Sequence, residues 1–239
     1  MSDPSVSRQY VLAANTRVKH HDAMQARTVE DPAAWVAASI ARRLATAIAR
    51  RGVASLAVSG GSTAPPMLEA LATRDLPWER IEIWQVDERV APDGHPDRNA
   101  NQLAGLPGRH HLMPVTARDL RRAASRYAAT LPERFDVVHL GMGPDGHTAS
   151  WPPGDPVVMS DRPVDLCGEF NGWVRMTLTP RVVNAALARV VLVTGADKAS
   201  LVTAWLKRHP LAARLPIALV RRSGTVVVLD SAAAAQLEN

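Results

Sequence analysis

The chain has a single cysteine and few aromatic residues. Because Cys167 is the only cysteine among the 239 residues, an intrachain disulfide and a cluster of thiolate metal ligands within one chain are excluded. Aromatic residues make up 4% of the sequence, which leaves little surface on which nucleic-acid bases can stack. The arginines are scattered along predicted helices, as on a solvated helix face. We therefore expect no nucleic-acid partner, and part of the net charge of +5 fits an anionic small molecule instead.

Long apolar runs are also missing. No run approaches the roughly 20 residues that span a bilayer, and the polar stretch 1–10 lacks the apolar region of a signal peptide. We therefore expect a soluble, cytoplasmic protein with no membrane partner. Hydrophobic residues make up 46% of the chain, an ordinary content for a protein that buries a core. The length favours one domain over residues 1–239, with 1–30 as an irregular N-terminal segment.

Short apolar runs alternate with helical patterns along most of the chain. The predicted strands span 53–58, 81–86, 135–140, 173–178 and 189–194, and two further apolar runs span 217–220 and 226–229. The predicted helices span 32–50, 117–131, 180–187 and 197–206, pass through 67–71, and begin again at 231. Strands separated by helices of this length require right-handed crossovers. The pattern therefore predicts an α/β fold with a mostly parallel, doubly wound, Rossmann-like sheet and helices on both faces.

The run from Phe135 to Leu140 opens abruptly into a loop with three glycines, one aspartate and one histidine. Function in parallel sheets gathers at the carboxyl ends of the strands, where Asp145 and His147 are expected to lie. Glycine permits positive φ and lets a ligand approach the main chain closely. Asp145 supplies an orienting carboxylate, and the imidazole of His147 belongs to a class that titrates near neutrality. The alternative is a glycine-rich turn with a solvated aspartate and histidine.

A second strand end carries Gly60, Gly61, Ser62 and Thr63 in front of a predicted helix. Small residues, hydroxyls and free amides at a helix N-terminus favour an anion, and a phosphate is the natural occupant. Neither the P-loop pattern nor the three-glycine dinucleotide pattern is present, so nucleotide binding has little support. The alternative is a capping turn in which Ser62 or Thr63 bonds to helix amides.

Five segments in this order resemble the 6-phosphogluconolactonase family from about Asp31 to the C-terminus. The segments are 59–63, 87–89, 141–150, 175–179 and 194–198. The resemblance implies a three-layer α/β fold, hydrolysis of 6-phosphoglucono-δ-lactone in the oxidative pentose phosphate pathway, and no metal or organic cofactor. It implies a small sugar phosphate as partner and a monomer, and it suggests functional coupling to glucose-6-phosphate dehydrogenase, which makes the lactone.

The same resemblance implies roles for individual residues. His147 would be the general base that takes a proton from the attacking water and later returns it to the ring oxygen. Asp145 would either fix the tautomer of the imidazole or contact the substrate. The phosphate would be bound by the loop Gly60, Gly61, Ser62 and Thr63 together with Arg175 and Lys198.

The triplet at the end of the second strand has a less defined role. Arg89 would bind the oxyanion that develops in the reaction, or hold its loop through a carboxylate. Asp87 would act in catalysis beside Arg89, or the two would form a structural salt bridge, because charged strand ends often only organise loops.

Two departures from the family pattern bear on affinity and substrate range. Arg98-Asn99 stands where the family usually has Ser-Asn, and Trp151-Pro152-Pro153 stands where it has Leu-Phe-Pro. Arg98 would add a contact to a phosphate or carboxylate, or lie on the surface. Two alternative functions are a glucosamine-6-phosphate deaminase and a sugar-phosphate sensor without catalysis. The deaminase needs an acid shortly after the histidine, and here the first carboxylate is Asp155.

The remaining histidines and tryptophans are interpreted as scaffold. The adjacent pairs His20-His21 and His110-His111 are expected on the polar surface, since neighbouring side chains of a strand point to opposite faces. His139, inside the third strand, is expected to be a hydrogen-bonded core residue. Four tryptophans with apolar neighbours are expected to pack in the core, namely Trp35, Trp78, Trp84 and Trp205.

Overall fold

The computed structural model describes residues 24–237, so the predictions for His20-His21 lie outside the described residues. The first helix shows how local sequence sets element bounds. Asp31 accepts a hydrogen bond from the Ala34 amide at 2.9 Å, and Pro32 occupies the first helical position, where its missing N–H costs nothing. The helix ends at Gly52, whose φ of 81° suits glycine and whose amide donates to the Ile48 carbonyl.

Within the described residues the chain forms the following elements in order. They are β1 (Gln25–Thr28), α1 (Pro32–Arg51), β2 (Ala54–Val58), α2 (Ala64–Ala72), β3 (Ile81–Gln85), β4 (Asp87–Arg89), α3 (Ala100–Leu103), β5 (Arg109–His111), α4 (Leu120–Ala128), β6 (Val137–Gly141), β7 (Val164–Phe170), β8 (Trp173–Leu178), α5 (Pro180–Ala185), β9 (Ala188–Val193), α6 (Ala199–Leu206), β10 (Thr225–Leu229) and α7 (Ser231–Ala234).

Seven strands form one sheet in the order β1-β10-β9-β6-β2-β3-β5. Every pairing in this sheet is parallel, which confirms the predicted mostly parallel α/β fold. One apolar layer packs α1 and α2 against one face, and a second layer packs α4 and α6 against the other. Strands covered on both faces are buried along their length, as β9 and β10 are.

A second, antiparallel sheet was not predicted. It has the order β4-β8-β7, so the triplet 87–89 is itself a strand. The predicted strand 173–178 is confirmed as β8, but its partners belong to this small sheet. The run 217–220 forms a 3₁₀ turn over Pro216–Leu219 instead of continuing the strand pattern, because Pro216 fixes φ and has no N–H for a ladder.

One further bound differs from the predicted one, and the strand β5 of the parallel sheet was not predicted. The predicted helix 117–131 is shorter, since Asp119 caps α4 by accepting the Arg122 amide at 2.9 Å. Arg109–His111 forms the edge strand β5. Trp84 and Trp205 are buried, as expected, whereas Trp35 and Trp78 are only partly buried. No helix in the described range 24–237 is long and apolar enough to cross a membrane.

The strand order creates a switch point between two neighbouring strands. From β2 the chain moves outward through β3 to β5, and it then returns to β6 on the other side of β2. Connections that leave in opposite directions open a crevice beyond the carboxyl ends of the two strands. The loops that begin at Ser59 and at Met142 therefore face each other across this crevice.

Candidate active site

A cleft of about 340 Å³ lies at this switch point. Its walls are formed by the loops after β2, β4, β6 and β9 together with the strands β4 and β8. Nine of the ten predicted site residues line it, namely Gly60, Gly61, Ser62, Thr63, Asp87, Arg89, His147, Arg175 and Lys198. Asp145 does not line the cleft; it contacts the histidine that does.

His147 is held from three sides. Its Nδ1 bonds to Oδ1 of Asp145, and the same carboxylate oxygen accepts the His147 amide at 3.1 Å. The Phe170 ring lies edge-on to the imidazole with 5.0 Å between centroids. Because a carboxylate only accepts, Nδ1 is the donor and Nε2 carries the free lone pair. Nε2 has no hydrogen-bond partner in residues 24–237 and is not buried.

The carboxyl group of Asp145 is tuned by its histidine neighbour. Partial burial acts to raise the pKa of Asp145, but the hydrogen bonds from the His147 amide and ring, with the charge of His147, lower that pKa below its ordinary value. The side chain is 37% exposed. Asp145 therefore stays ionised near neutral pH and keeps accepting from Nδ1.

Two glycines shape the loop that carries His147. The Gly143 amide donates to the His147 carbonyl at 2.9 Å, and the Gly146 amide donates to the Gly143 carbonyl at 3.0 Å. A Cβ on Gly143 would lie 2.0 Å from Cε1 of His147, so the ring rests directly against the bare main chain. Gly146 has a φ of +80° and lies on Leu215. The glycines thus allow the close approach expected from the sequence.

The loop after β2 presents free hydroxyls to the cleft. Gly61 has a φ of +110°, and its amide donates to Oε1 of Gln102 at 3.2 Å. Thr63 precedes α2 without making a side-chain cap, and in the described part of the chain no hydrogen bond involves the side chain of Ser62 or Thr63. The capping turn is therefore not observed.

Three cationic side chains line the cleft. Arg89 on β4 lies directly opposite Arg175 on β8 in the antiparallel register, although like charges in that position repel. Arg175 is buried; its Nε donates to the Phe170 carbonyl at 3.2 Å and its Cζ lies 5.0 Å from the Phe170 centroid. Burial lowers the pKa of Arg175; the charge of Asp87 opposes this, and that of Arg89 reinforces it. Lys198 donates to the Thr194 carbonyl at 2.9 Å.

Asp87 and Arg89 do not pair with each other. Asp87 accepts from Ser59 at 3.3 Å and from Ser150 at 2.7 Å, which ties the loops after β2 and β6 together. Nη1 of Arg89 donates to the Asp97 carbonyl at 2.6 Å and to Oδ1 of Asn99 at 2.9 Å. Nε of Arg89 is buried with no hydrogen-bond partner among the described residues. Residues 24–237 contain no ion pair between Asp87 and Arg89, so the predicted salt bridge is not observed.

Asn99 is a cleft residue that the sequence-based predictions missed. It is buried, accepts from Arg89, and donates to the Asp87 carbonyl at 2.9 Å. Gly60 packs against it so closely that a Cβ would lie 2.2 Å from Oδ1. Its position beside Arg98, in the pair that departs from the Ser-Asn of the family, was the available signal, but its hydrogen-bond partners lie about ten positions away on β4.

Arg98 and Trp151, which belong to the two departures from the family pattern, are buried side chains that do not line the cleft. Arg98 is buried, with Nε 3.1 Å from Oε2 of Glu88 and Nη1 2.9 Å from Oδ1 of Asp93. It therefore contacts internal carboxylates and does not line the cleft. Trp151 is fully buried and donates to the Leu178 carbonyl at 2.8 Å.

His139 is buried in the core, as predicted. The predicted hydrogen bond of its side chain is not observed. Neither ring nitrogen has a hydrogen-bond partner in the described part of the chain. Burial lowers the pKa of His139 to about 4, against a smaller opposing effect of the Ser59 backbone. Among residues 24–237, no three His, Cys, Asp or Glu side chains are grouped so that they could hold a metal ion.

Comparison with known proteins gives one consistent family. The model for glucosamine-6-phosphate isomerases/6-phosphogluconolactonase matches residues 27–228. A 6-phosphogluconolactonase from Synechocystis sp. is 38% identical over 178 residues, covering 66% of this chain and 74% of that protein. One from Nostoc sp. is 32% identical over 237 residues, covering 88% and 98%.

Solved structures agree with this assignment. The crystal structure of 6-phosphogluconolactonase from Thermotoga maritima matches with a TM-score of 0.76 at 26% identity, covering 86% of this chain and 98% of that chain. A monomeric glucosamine-6-phosphate deaminase also matches with a TM-score of 0.76, covering 89% and 99%, but at 19% identity this likeness shows the fold alone.

Proposed function

Because this chain belongs to the family of glucosamine-6-phosphate isomerases and 6-phosphogluconolactonases, we propose that it hydrolyses 6-phospho-D-glucono-1,5-lactone to 6-phosphogluconate in the oxidative pentose phosphate pathway. The observation that carries the proposal is the orientation of His147. Its Nδ1 is bound by Asp145, which leaves Nε2 as a base in a cleft lined by three cations.

In this mechanism Nε2 of His147 takes a proton from a water molecule as the water attacks the lactone carbonyl. The tetrahedral intermediate then collapses, the bond from the former carbonyl carbon to the ring oxygen breaks, and the protonated imidazole returns its proton to that oxygen. Asp145 stabilises the imidazolium and keeps the ring in the tautomer that this step needs. The contact with Asp145 supports an orienting role for this carboxylate, since Asp145 does not line the cleft.

The phosphate of the substrate is proposed to lie between the loop 60–63 and the cations Arg175 and Lys198. The unpaired hydroxyls of Ser62 and Thr63 provide donors at the start of α2, and arginine provides a fork that suits phosphate. Two opposed arginines repel each other when no anion is present. A bound dianion would remove that repulsion, which supports an anion site on this wall.

Arg89 is proposed to stabilise the developing oxyanion. Its Nη1 is anchored by Asn99 and the Asp97 carbonyl, whereas Nη2 has no hydrogen-bond partner among the described residues and is not buried. Donors that are fixed before the reaction stabilise transition-state charge without reorganising. Asp87 is proposed to position the loops through Ser59 and Ser150, and not to react.

Hydrolysis is favoured over deamination by the chain that follows His147. The first carboxylate after it, Asp155, accepts the Val157 amide at 2.8 Å and the Gly168 amide at 2.9 Å. Both oxygens of Asp155 therefore accept backbone amides, and Asp155 does not line the cleft.

We also infer a cytoplasmic monomer that works beside glucose-6-phosphate dehydrogenase. Sedimentation of the purified chain should give the mass of one copy.

The proposal is tested by stopped-flow measurement of acid release from freshly made 6-phosphoglucono-δ-lactone, with the spontaneous reaction as blank. A general base contributes roughly 10² to 10⁴ in rate, so His147→Ala should lose about that factor while staying folded. The control is Arg118→Gln, which changes an exposed residue outside the cleft and should retain the wild-type rate.

Two results would count against the proposal. If the wild type only matches the blank yet binds 6-phosphogluconate, the chain is a sensor. If it releases ammonia from glucosamine 6-phosphate, the deaminase assignment replaces hydrolysis.

A further inference from the structure

A second basic region lies outside the candidate active site. Between Lys198 and Asp230 the sequence has five Lys and Arg residues and no aspartate or glutamate. A separate cavity of about 440 Å³ lies in this region. Its lining includes Trp205, Arg208, His209 and Arg222. This cavity shares no lining residue with the cleft around His147.

The guanidinium of Arg222 is only partly used by the fold. Its Nη1 and Nη2 donate to the carbonyls of Trp205 and Leu206, each at 3.3 Å, at the end of α6. Its Nε is buried and has no hydrogen-bond partner in the described part of the chain. Because each terminal nitrogen of arginine carries two N–H groups, one donor on Nη1 and one on Nη2 are not used by these bonds and remain available to a ligand.

Arg208 adds a second cation at the same cavity. It follows the end of α6 with a φ of 58°, a left-handed conformation in which glycine is usual. Its charge acts with burial to lower the pKa of Arg222, burial being the larger cause. No ion pair joins Arg208 or Arg222 to a carboxylate within residues 24–237. The fold thus brings two guanidinium groups together without a described counter-charge.

We propose that this cavity is a second anion-binding site, which takes a small phosphorylated molecule between Arg208 and Arg222. A phosphate removes the repulsion between the two cations and accepts from the unused donors of the arginine fork. His209 lines the same cavity and provides a further polar side chain. The cavity volume suits a small molecule and not an extended polymer.

The proposed site is connected to the catalytic loop by the chain between its two arginines. Leu215 packs against Gly146, and the Ile217 amide donates to the Gly146 carbonyl at 3.0 Å. Gly146 directly precedes His147. An anion that shifts segment 208–222 therefore acts on the loop that holds the proposed base.

The test measures binding of inorganic pyrophosphate by calorimetry, with no turnover, so that it is independent of the proposed hydrolysis. All proteins carry Lys198→Gln to weaken phosphate binding in the cleft. In this background Arg208→Gln should weaken pyrophosphate binding about tenfold or more, the loss expected for one charged hydrogen-bond partner. The matched control is Arg221→Gln, which removes the same charge from an exposed residue that does not line the cavity and should change the Kd less than twofold.

Because Arg222 also caps α6, the second variant is Arg222→Lys, which keeps the charge and loses the fork. It should weaken binding several-fold while thermal unfolding confirms that the protein is folded. Saturable binding that is equal in Arg208→Gln and in its background overturns the proposal, as does the absence of saturable binding. An equal loss in Arg208→Gln and Arg221→Gln also overturns it, because it would show a diffuse charge effect.

Discussion

Gly143 shows how a single missing side chain determines the position of the proposed base. In Gly143→Ala the new Cβ would lie 2.0 Å from Cε1 and 2.2 Å from Nδ1 of His147, so the imidazole must move. The φ of Gly143 lies outside the left-handed region, so alanine strains only this contact. We expect kcat to fall by about 10² or more, because a displaced base loses most of its contribution. The lactone assay measures kcat.

The matched control for this substitution is Gly105→Ala. Gly105 has no positive φ, and nothing lies within 4 Å of the Cβ that alanine would add. Both variants should unfold at temperatures close to the wild type. Retention of full activity in Gly143→Ala would contradict the assigned position of the His147 ring.

Asp145 provides a second prediction at the same scale. Asp145→Asn keeps the shape of the side chain but lets an amide donor face Nδ1, which permits the wrong tautomer of His147. We expect kcat to fall by up to about 10⁴, with a smaller change in KM, because Asp145 does not line the cleft. Steady-state kinetics on the lactone separates the two constants, and a change confined to KM would argue for a direct contact with substrate.

The pH dependence of the Asp145 contribution follows from its lowered pKa. The folded protein releases this proton more readily than the unfolded chain, so the pair with His147 stabilises the fold fully above about pH 4, the ordinary value for aspartate. That stabilisation is lost as the pH falls through the lowered pKa. Acid unfolding of Asp145→Asn should therefore be less steep than that of the wild type below pH 4.

What could be predicted at the residue scale depended on sequence distance. Asp145 and His147 are two positions apart, so their contact was within reach of a local motif. Arg89 and Asn99 meet across ten positions, and Asp87 meets Ser150 across sixty-three. Those contacts depend on which loops the fold places together, and no local pattern encodes them.

At the scale of elements, a buried acid organises the β4 wall of the cleft. Glu88 accepts from the amides of Asn99 and Ala100 at 2.7 and 2.8 Å and from Nε2 of Gln85 at 2.7 Å, and it pairs with Arg98. These contacts join β4 to α3 and hold Asn99 where it contacts Arg89. The network therefore positions the cation proposed to stabilise the oxyanion.

Removing the cation of this network should destabilise the protein. Arg98→Met leaves the carboxylate of Glu88 buried without its ionic partner, and breaking such a pair typically costs about 3 to 5 kcal/mol. Urea unfolding at pH 7 measures the loss. The variant should also show a lower kcat at temperatures where it stays folded, because Asn99 no longer holds Arg89 firmly.

The double variant Arg98→Met/Glu88→Gln serves as the control for charge. It removes both members of the pair, so it should recover part of the lost free energy of unfolding. The exposed pair Arg80 and Glu79 provides a reference, since Arg80→Met should change stability by less than about 1 kcal/mol. An equal cost for Arg98→Met and Arg80→Met would refute the organising role of Glu88.

The small antiparallel sheet marks the limit of prediction from element patterns. The run 173–178 has the composition of a strand, and it is one. The alternation of strands and helices says nothing about which sheet a strand joins, because β4, β7 and β8 pair through antiparallel contacts across long loops. The result matters for the site, since this sheet places Arg175 opposite Arg89.

At the scale of the whole molecule, the order of strands converts separate motifs into one site. The parallel sheet followed from the alternation of strands and helices, but the order β9-β6-β2-β3 did not. That order places four loop-bearing strands side by side at one edge. The cleft therefore depends on topology, while the chemistry inside it depends on residues that the local motifs already contained.

The stability of the whole fold should depend on pH through His139. The folded protein keeps this histidine neutral, because burial lowers its pKa from 6.5 to about 4. The unfolded chain binds the proton below about pH 6.5, so the free energy of unfolding falls as the pH drops from about 6.5 to about 4. The shift corresponds to a loss of about 3 kcal/mol over that range.

His139→Leu isolates this contribution, because leucine has a similar volume and does not titrate. At pH 7 the variant should be as stable as the wild type or more stable, since it removes two buried ring nitrogens that lack partners among the described residues. Its advantage should grow steadily in urea unfolding as the pH is lowered to 4.5. His209→Asn, which changes an exposed histidine, should follow the wild-type curve. If the stability of His139→Leu also follows the wild-type curve, the prediction is wrong. His139 would then gain its proton in the folded state as easily as in the unfolded chain, and the fold would not carry a buried neutral histidine at its centre.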